Sequence, residues 1–560
     1  MALYDVHPVD LPIQLPVSTG SLVIGSGDSC LFQSSISQLL VTNVVPSEVQ
    51  MREMRGLVCT FEQHRITLKR EILRVQGILA EMQKSQAEVE NLISSLEAGL
   101  DSPIRRLPPE MLSKIFEHCL PLEEKSQVST NEPSISHAPL LLGRVCSTWR
   151  AISLSTPRLW SFLKLVVPCI CTDAVVDKQR QIMSTWLQRS GSVPMSLRFI
   201  HQGYSTSNLS SIYDTVISYA SRWRILDFLV RDKSAIDTLF PIFEASFSSL
   251  EYLNVHSDLN KSDGEGHSTI PSAIVNLSST SLRRLALSWN SMDMSKIHVP
   301  WCGITHLSLM DVRRGAWSPP VFAYLDILCQ CPNLIECVLG IGAVEQRSPY
   351  VFVDLPRMER LQLRTLESCT QTRRMEMLFE AINAPNLKEF TLEETHSDNP
   401  ASYIAELTSF LKRSQWLKKL SLRSVWVRQE EFEQLLSAAA SITHFSFHSC
   451  HVCLPLDIID SMTPRISSDG RATCLAPVLE SLDLEWDNAD VLESIILMME
   501  LRQRNNTQGR GVAQLRQAGC RPSQLIQCRT LGMQVRDRLL ALGGRLQRCY
   551  ELGLVRLDIH

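Results

Sequence analysis

Residues 417–422 read LKKLSL, and this arrangement of apolar residues at the first, fourth and sixth positions decides the fold because it recurs along the chain. Neighbouring copies lie mostly 22 to 32 residues apart. Alternation of apolar and polar residues is typical of a β-strand with one buried face. Ten copies are found, and they begin at Trp223, Leu250, Leu282, Ile304, Leu334, Met358, Leu387, Leu417, Ile442 and Leu479.

Helix-like stretches precede several copies, among them VFAYLDILCQCPN before Leu334 and EEFEQLLSAAAS before Ile442. Each unit is therefore predicted to be one strand plus one helix, and a single unit cannot bury its apolar face alone. The spacing resembles that of leucine-rich repeats. We predict an α/β fold whose residues 175–500 form a leucine-rich-repeat-like solenoid with a curved parallel sheet.

The residues that alternate with the strand leucines are predicted to point outward and to form a binding surface. They include Ser308, Gln362, Thr391, Ser421, Ser446 and Asp483. A mixed set of charges lies just beyond the strands and suits a polypeptide ligand. We predict these residues to be substrate-binding, with a merely solvated face as the alternative: Arg364, Glu393, Arg423, His448 and Glu485.

A long helix is predicted before the repeats, over residues 57–101, after a flexible segment at 1–56. From Phe61 to Leu100 the apolar residues follow a 4-3 spacing, interrupted by Arg65 and Gln86. This seam favours either a coiled coil that forms a homodimer or binds a partner helix, or an amphipathic helix that folds back on its own chain. Pro103 ends the helix, because proline restricts the residue before it and lacks an N–H.

Residues 104–165 are predicted to form a small helical domain. This segment contains LPPEMLSKIFEHCLP from Leu107 and VCSTWRAI from Val145. Two prolines suit the first turn of a helix, and the apolar residues of each half recur at helical spacing. The segment ends in PRLWSFL, which supplies a third apolar cluster.

These strings resemble the F-box, in a longer form similar to that of fungal F-box-like proteins, with a Ser-rich insert at residues 123–139. The resemblance implies a three-helix domain that binds the Skp-type adaptor of a cullin ubiquitin ligase. The alternative is a set of helices that only caps the repeats. The residues implied at or supporting the adaptor interface are Leu107, Pro108, Leu112, Ile115, Phe116, Val145, Cys146 and Trp149.

The composition excludes several classes of partner. A net charge of −4 offers no basic excess for a nucleic acid, and no apolar run is long enough for a membrane span. Seventeen scattered cysteines without a signal peptide predict reduced thiols and a cytoplasmic or nuclear location. Residues 501–560 are predicted to be a basic, partly helical segment, either an arm for an acidic partner or a frayed terminus, with a helix at 531–554.

No catalytic residue, metal site or cofactor is predicted. Cys450 and Cys453 have CxxC spacing near His444, His448 and His451, but no second pair follows, as a zinc site usually needs. The sequence therefore predicts a non-enzymatic adaptor that recruits a protein substrate to a Skp-cullin-type ubiquitin ligase. The alternatives are a non-catalytic interaction scaffold with a degenerate F-box and, on the Cys/His cluster alone, a hydrolase or metal enzyme.

Overall fold

The computed structural model describes residue 39 and residues 42–522, apart from residues 102, 121–134, 169–171, 203–208, 231–238, 240, 258–274, 278, 289–295, 311–320, 342–351, 366–372, 395–402, 426, 449–455, 467, 469–471, 487–488, 508–511 and 514. The chain divides into two compact units, Met1–Leu107 and Pro108–His560.

The first unit contains one long helix, α1 (Glu48–Asp101), followed by a 3-10 turn at Pro103–Arg106. The helix begins nine residues before the predicted start at residue 57. Ser47 and Gln50 explain this start, because the Gln50 side chain accepts from the Ser47 N–H at 2.9 Å while the Ser47 hydroxyl accepts from the Gln50 N–H at 3.5 Å. This reciprocal pair is a capping box, which satisfies N–H groups that a helix end leaves without partners.

The second unit opens with short helices and continues as alternating strands and helices. Its described helices are α2 (Pro109–His118), α3 (Leu142–Val145), α4 (Ser147–Ser155), α5 (Asp173–Arg189), α6 (Ser210–Ser218), α7 (Pro241–Glu244), α8 (Val321–Cys329), α9 (Arg373–Ala381), α10 (Ile404–Arg413), α11 (Gln429–Ala438), α12 (Leu456–Met462) and α13 (Ala489–Thr507). Turns of 3-10 helix lie at Pro157–Trp160, Ala220–Arg222 and Trp301–Gly303.

Thirteen of the described strands form one parallel sheet, in which chain neighbours are sheet neighbours. In sheet order they are β1 (Phe162–Val167), β2 (Met195–His201), β3 (Trp223–Val230), β4 (Tyr252–Ser257), β6 (Arg284–Ser288), β8 (His306–Met310), β9 (Glu336–Ile341), β11 (Arg360–Thr365), β13 (Glu389–Glu393), β14 (Lys419–Arg423), β15 (His444–His448), β18 (Ser481–Trp486) and β19 (Gln517–Pro522). Three two-stranded sheets join β5 (Val275–Asn276) to β7 (Ile297–His298), β10 (Val353–Asp354) to β12 (Ile382–Asn383), and β16 (Arg465–Ile466) to β17 (Ala472–Thr473).

The apolar residues of the recurring pattern form two ladders on one face of the large sheet. Leu361, Phe390 and Leu420 stand in register in one ladder, and Leu363 and Leu392 stand in the other. All are buried, and each aliphatic side chain contributes about 1.5–3 kcal/mol when fully removed from water. Helices pack on this face through pairs of aromatic rings. Phe379 of α9 lies against Phe390 of β13, and Phe432 of α11 lies against Phe445 of β15.

The α/β class, the long N-terminal helix and the large parallel sheet are confirmed. All ten predicted strands are present. The sheet extends beyond residues 175–500 through β1 and β19, and it also contains β2, which lies within that range but was not among the ten copies. In the connection from β6 to β8, the described residues hold β7 and a 3-10 turn and no α-helix. The start of segment 501–560 also differs, because residues 501–507 complete α13, whereas the helix predicted at 531–554 lies outside the described residues.

Candidate interaction surfaces

The helical segment from Pro109 to Trp160 closes around its own small core. The Phe116 ring is buried and lies 4.8 Å from the Trp149 ring, which joins α2 to α4. The hydroxyls of Ser113 and Thr156 are hydrogen-bonded at 3.0 Å and secure the same two helices. Phe116 therefore stabilises the segment from inside.

Other apolar side chains of this segment remain exposed. Met111 and Ile115 are neighbours one turn apart on α2, and Leu141 and Val145 are similarly spaced across α3. Ile115 is 38% exposed and Val145 is 56% exposed. We call these four exposed residues the apolar patch: Ile115 adjoins the buried Phe116 in the chain, and Val145 lies four residues before Trp149.

The residues implied by the F-box resemblance divide into two sets. Leu112 and Phe116 are buried, and Leu107 and Trp149 are half-buried. The exposed residues are Pro108, Ile115, Val145 and Cys146. Cys146 also caps α4, because its sulfur accepts from the Trp149 N–H at 3.4 Å.

Met111 and Leu141 of the apolar patch were not predicted. The helical spacing that selected Ile115 and Val145 also places Met111 and Leu141 one turn before them, so the signal was present. Leu163, by contrast, was assigned to the small domain and lies in β1 of the sheet.

The third apolar cluster of the segment joins it to the sheet. The Trp160 ring is buried, its N–H donates to the Ser153 carbonyl at 2.9 Å, and it meets the Trp186 ring of α5 edge-on at 4.9 Å. The Arg189 guanidinium lies 4.3 Å from the centre of the Trp160 ring, within cation–π range. The helical segment and the first strand–helix unit therefore share one core.

The second candidate surface is the face of the large sheet that does not carry the apolar ladders, which we call the polar face. Its side chains stand in three rows across the strands, because successive residues of a strand alternate between faces. The middle row is small and mostly uncharged, and its members are half-buried. From β8 to β15 the middle row consists of Ser308, Val338, Gln362, Thr391, Ser421 and Ser446.

The third row, at the carboxyl ends of the strands, contains four of the five predicted substrate-binding residues. Arg364, Glu393, Arg423 and His448 stand in register on β11, β13, β14 and β15. Arg364 pairs with Glu393 at 2.9 Å. Glu485 lies on β18, but its side chain is outside the described residues.

His448 turns toward the next strand, where its Nε2 lies 3.1 Å from an Asp483 carboxylate oxygen. Arg423 is exposed and makes no ion pair with any described residue. Of the residues in the third row, Arg423 is thus the charge that remains available to a ligand.

The first row, at the amino ends of the strands, is charged and was missed by the sequence analysis. Its members are His306, Glu336, Arg360, Glu389, Lys419 and His444. Neighbouring strands are linked by Glu336–Arg360 at 2.5 Å and by Glu389–Lys419 at 2.9 Å. Alternation would have predicted this row, because each member lies two residues before a middle-row residue.

A cavity of about 530 Å³ lies on this polar face toward β1–β9. Among the residues that line it are Arg198, Asp227, Tyr252, Arg284, His306 and Glu336. Asp227 pairs with Arg198 and accepts from the Asn254 amide at 2.7 Å. Arg284 is exposed, stands in register between Tyr252 and His306, and has no ion pair among the described residues.

Charge and burial set the protonation states around Arg284. Burial, with a smaller contribution from Asp227, raises the pKa of Tyr252 to about 12, so its hydroxyl stays protonated and can donate. Burial also lowers the pKa of His306, and Arg284 and Arg360 add to this effect while Glu336 opposes it. His306 is therefore kept neutral at physiological pH, and Arg284 supplies the net positive charge of this part of the cavity.

The described residues give no support for a metal centre. They contain no group of three or more His, Cys, Asp or Glu side chains placed to hold a metal ion, and Cys450 to Cys453 lie outside them. Burial raises the pKa of Cys331 to about 12, which keeps this thiol protonated. No described helix has the length and hydropathy required to cross a membrane.

Known proteins offer no assignment for either surface. No protein-family model matches the chain, and no curated protein matches it at a significant level.

Proposed function

We propose that the protein is an F-box-type adaptor that holds a protein target for a Skp-cullin-type ubiquitin ligase. The observation that carries this proposal is the apolar patch, which stays exposed beside a closed core in the segment whose sequence resembles the F-box. An adaptor of this kind needs a docking face and a recognition face, and it needs no catalytic residues of its own.

The apolar patch has the character of a protein-binding site. Ile115 lies on α2 and Val145 on α3, and the Phe116–Trp149 contact joins α2 to α4, the helix that directly follows α3 in the chain. Covering exposed apolar surface contributes about 25 cal/mol per Å², so a partner that covers all four side chains gains several kcal/mol. Pro108, which directly precedes α2, and Cys146, which directly follows α3, are exposed as well.

The recognition face in this proposal is the polar face of the sheet, treated as the binding surface of a leucine-rich-repeat solenoid. The middle row crosses six strands, which corresponds to about 24 Å at the usual strand spacing of about 4.8 Å. Its small side chains let a backbone approach, whereas the first and third rows rise on both sides with charged groups. An extended target segment of roughly seven residues fits this length.

Two arginines define the preferred charge of the target. Arg284 in the cavity and Arg423 in the third row are exposed and lack ion pairs among the described residues. The other charges that we described on this face are largely neutralised by each other, as in Arg364–Glu393 and Glu336–Arg360. We therefore propose acidic side chains on the target, held by charge-assisted hydrogen bonds.

The test of the docking face uses the full chain co-expressed with a Skp-type adaptor and a cullin. Ile115→Asp combined with Val145→Asp places two charges in the apolar patch and leaves the buried Leu112 and Phe116 intact. Losing most of the contribution of two apolar side chains, about 1.5–3 kcal/mol each, lowers adaptor affinity at least tenfold. The matched control is Leu154→Asp, which charges an exposed leucine at the other end of α4.

Two outcomes contradict the proposal. One is a chain that does not bind the adaptor at all, and the other is a double variant that binds it as tightly as the unmodified chain. If stable protein partners are recovered without adaptor or cullin, the non-catalytic scaffold takes the place of the ligase adaptor. Far-UV circular dichroism of each variant establishes that the helical segment is still folded.

A further inference from the structure

Helix α1 exposes an apolar seam along its length, interrupted at Arg65 and Gln86. With 54 residues it is about 81 Å long. The 4-3 spacing begins earlier than the predicted Phe61, because Met51, Met54 and Val58 continue it toward the amino end. From Val58 to Leu96 the apolar seam residues are each between 43% and 59% exposed: Val58, Phe61, Leu68, Ile72, Val75, Leu79, Met82, Val89, Ile93 and Leu96.

A seam with this period fits another helix of the same period, because knobs at alternating spacings of three and four enter holes on a matching helix. The chain itself supplies such a helix. Flanking positions on one side of the seam include the apolar residues Leu57, Ile78 and Leu92, which widen the surface that a second copy can cover. The two copies can pair in a parallel or an antiparallel orientation.

The distribution of charge along α1 decides this orientation. Residues 48–74 contain six Arg and Lys against four Glu, which gives a net charge of +2. Residues 75–101 contain one Lys against five Asp and Glu, which gives −4. A parallel pair would place like charges beside each other in both halves, whereas an antiparallel pair places the basic half of each copy against the acidic half of the other.

We propose that α1 forms an antiparallel coiled-coil dimer with a second copy of the chain. In the alignment centred near Gly77, Leu79 of one copy packs against Val75 of the other. Each layer of the overlap then pairs an a position of one helix with a d position of the other. Arg55 then faces Glu97 across the seam at each end.

The two polar interruptions of the seam are accommodated by the same alignment. Arg65, which contacts Glu62 at 3.7 Å within its own helix, comes beside Glu90 of the second copy. Its positive charge offsets the repulsion that Glu62 and Glu90 would otherwise exert on each other. Gln86, whose amide donates to Glu90 at 2.8 Å, meets Leu68 at the corresponding layer.

The antiparallel arrangement also separates the chain segments that follow the two helices. Asp101 of one copy and Asp101 of the other lie at opposite ends of a rod about 80 Å long. The two chains therefore continue beyond the helix pair from its opposite ends.

Sedimentation equilibrium of the full chain tests self-association. The unmodified chain is expected at twice its monomer mass, and Leu79→Lys, at a seam position, is expected to raise the dimer dissociation constant at least tenfold. Leu73→Lys is the matched control, because this leucine lies on the same helix, is 69% exposed and stands off the seam. A monomer at all concentrations, or equal effects of the two variants, overturns the proposal.

A double-variant cycle tests the orientation. Arg55→Glu and Glu97→Arg each place like charges together in the antiparallel pair and weaken it, and the combined variant restores the attraction and recovers most of the affinity. In a parallel pair the two positions are 42 residues apart, about 63 Å, and cannot interact. Effects that simply add, with no recovery in the combined variant, overturn the antiparallel arrangement.

Discussion

Arg502 holds the carboxyl-terminal part of the sheet unit together, and its replacement provides a quantitative test of the structure. This side chain on α13 is 0% exposed. Its guanidinium donates to the carbonyls of Met462 at 2.9 Å, Leu475 at 2.8 Å and Ala476 at 3.2 Å. Ala476 has a φ of 47°, so the backbone is turned into a rarely adopted conformation that directs its carbonyl to the arginine.

The expected effect of Arg502→Met is a loss of about 3 kcal/mol in the free energy of unfolding. Three carbonyls, two of them on buried residues, lose their donor, at about 1–3 kcal/mol for each buried one. Part of this is offset because the charged guanidinium, whose pKa is lowered by burial, no longer has to be desolvated. Arg502→Lys is expected to be at least as destabilising, since it keeps a buried charge and loses the planar fork that reaches all three carbonyls.

Equilibrium urea unfolding by circular dichroism, with hydrogen exchange over residues 456–507 to locate the change, measures this effect. Arg504→Met is the control, because Arg504 is an exposed arginine on the same helix and its loss should change the stability by less than about 0.5 kcal/mol. If Arg502→Met is no more destabilising than Arg504→Met, or if exchange does not increase around residues 462–476, the reasoning is refuted.

Two further predictions concern the polar face and its margin. Burial raises the pKa of Glu394, although the Tyr403 hydroxyl donates to it and opposes the shift, so ionisation costs more in the folded than in the unfolded chain. The free energy of unfolding should therefore fall as pH rises from the usual Glu range through the raised pKa. Glu394→Gln should make the free energy of unfolding, measured by urea titration at successive pH values, depend less steeply on pH. An unchanged pH dependence contradicts the assignment. Arg284→Glu with Arg423→Glu should abolish capture of acidic targets in quantitative pull-downs, while adaptor binding is kept. The control is Lys178→Glu with Lys412→Glu at exposed helix positions, which should leave capture unchanged. Equal recovery of the target by both double variants counts against acidic recognition.

The ten central strands could be predicted because each repeats the same spacing, and burial of two apolar ladders requires that spacing in every strand. The outermost strands could not. In β19 the ladder positions hold Ala518 and Cys520, which are too small to stand out from their neighbours, and β1 directly follows a segment that resembles a different motif. At the start of α1 a local signal was present, since Ser47 and Gln50 have the spacing of a capping box.

The candidate surfaces were predictable to different degrees for the same physical reason. The third row follows from strand alternation alone, so Arg364, Glu393, Arg423 and His448 could be selected from the sequence. Which of these charges is neutralised depends on cross-strand ion pairs, and those require the register. The burial of Arg502 was beyond prediction because its acceptors are carbonyls from a distant turn, which no pattern of side chains reveals.

The placement of Trp160 bears on how the two proposed surfaces work together. Trp160 is buried between the helical segment and α5, where Trp186 and Arg189 contact its ring. A flexible linker at this point would let the docking face and the recognition face reorient freely, and a bound target would then sample many positions relative to the adaptor. A shared aromatic core removes that freedom, since moving the helical segment away from the sheet would expose Leu159 and Trp160 to water. In the proposed adaptor, a target bound on the polar face is therefore held at a fixed distance from whatever covers the apolar patch, which is the geometric requirement for transfer of a group to that target.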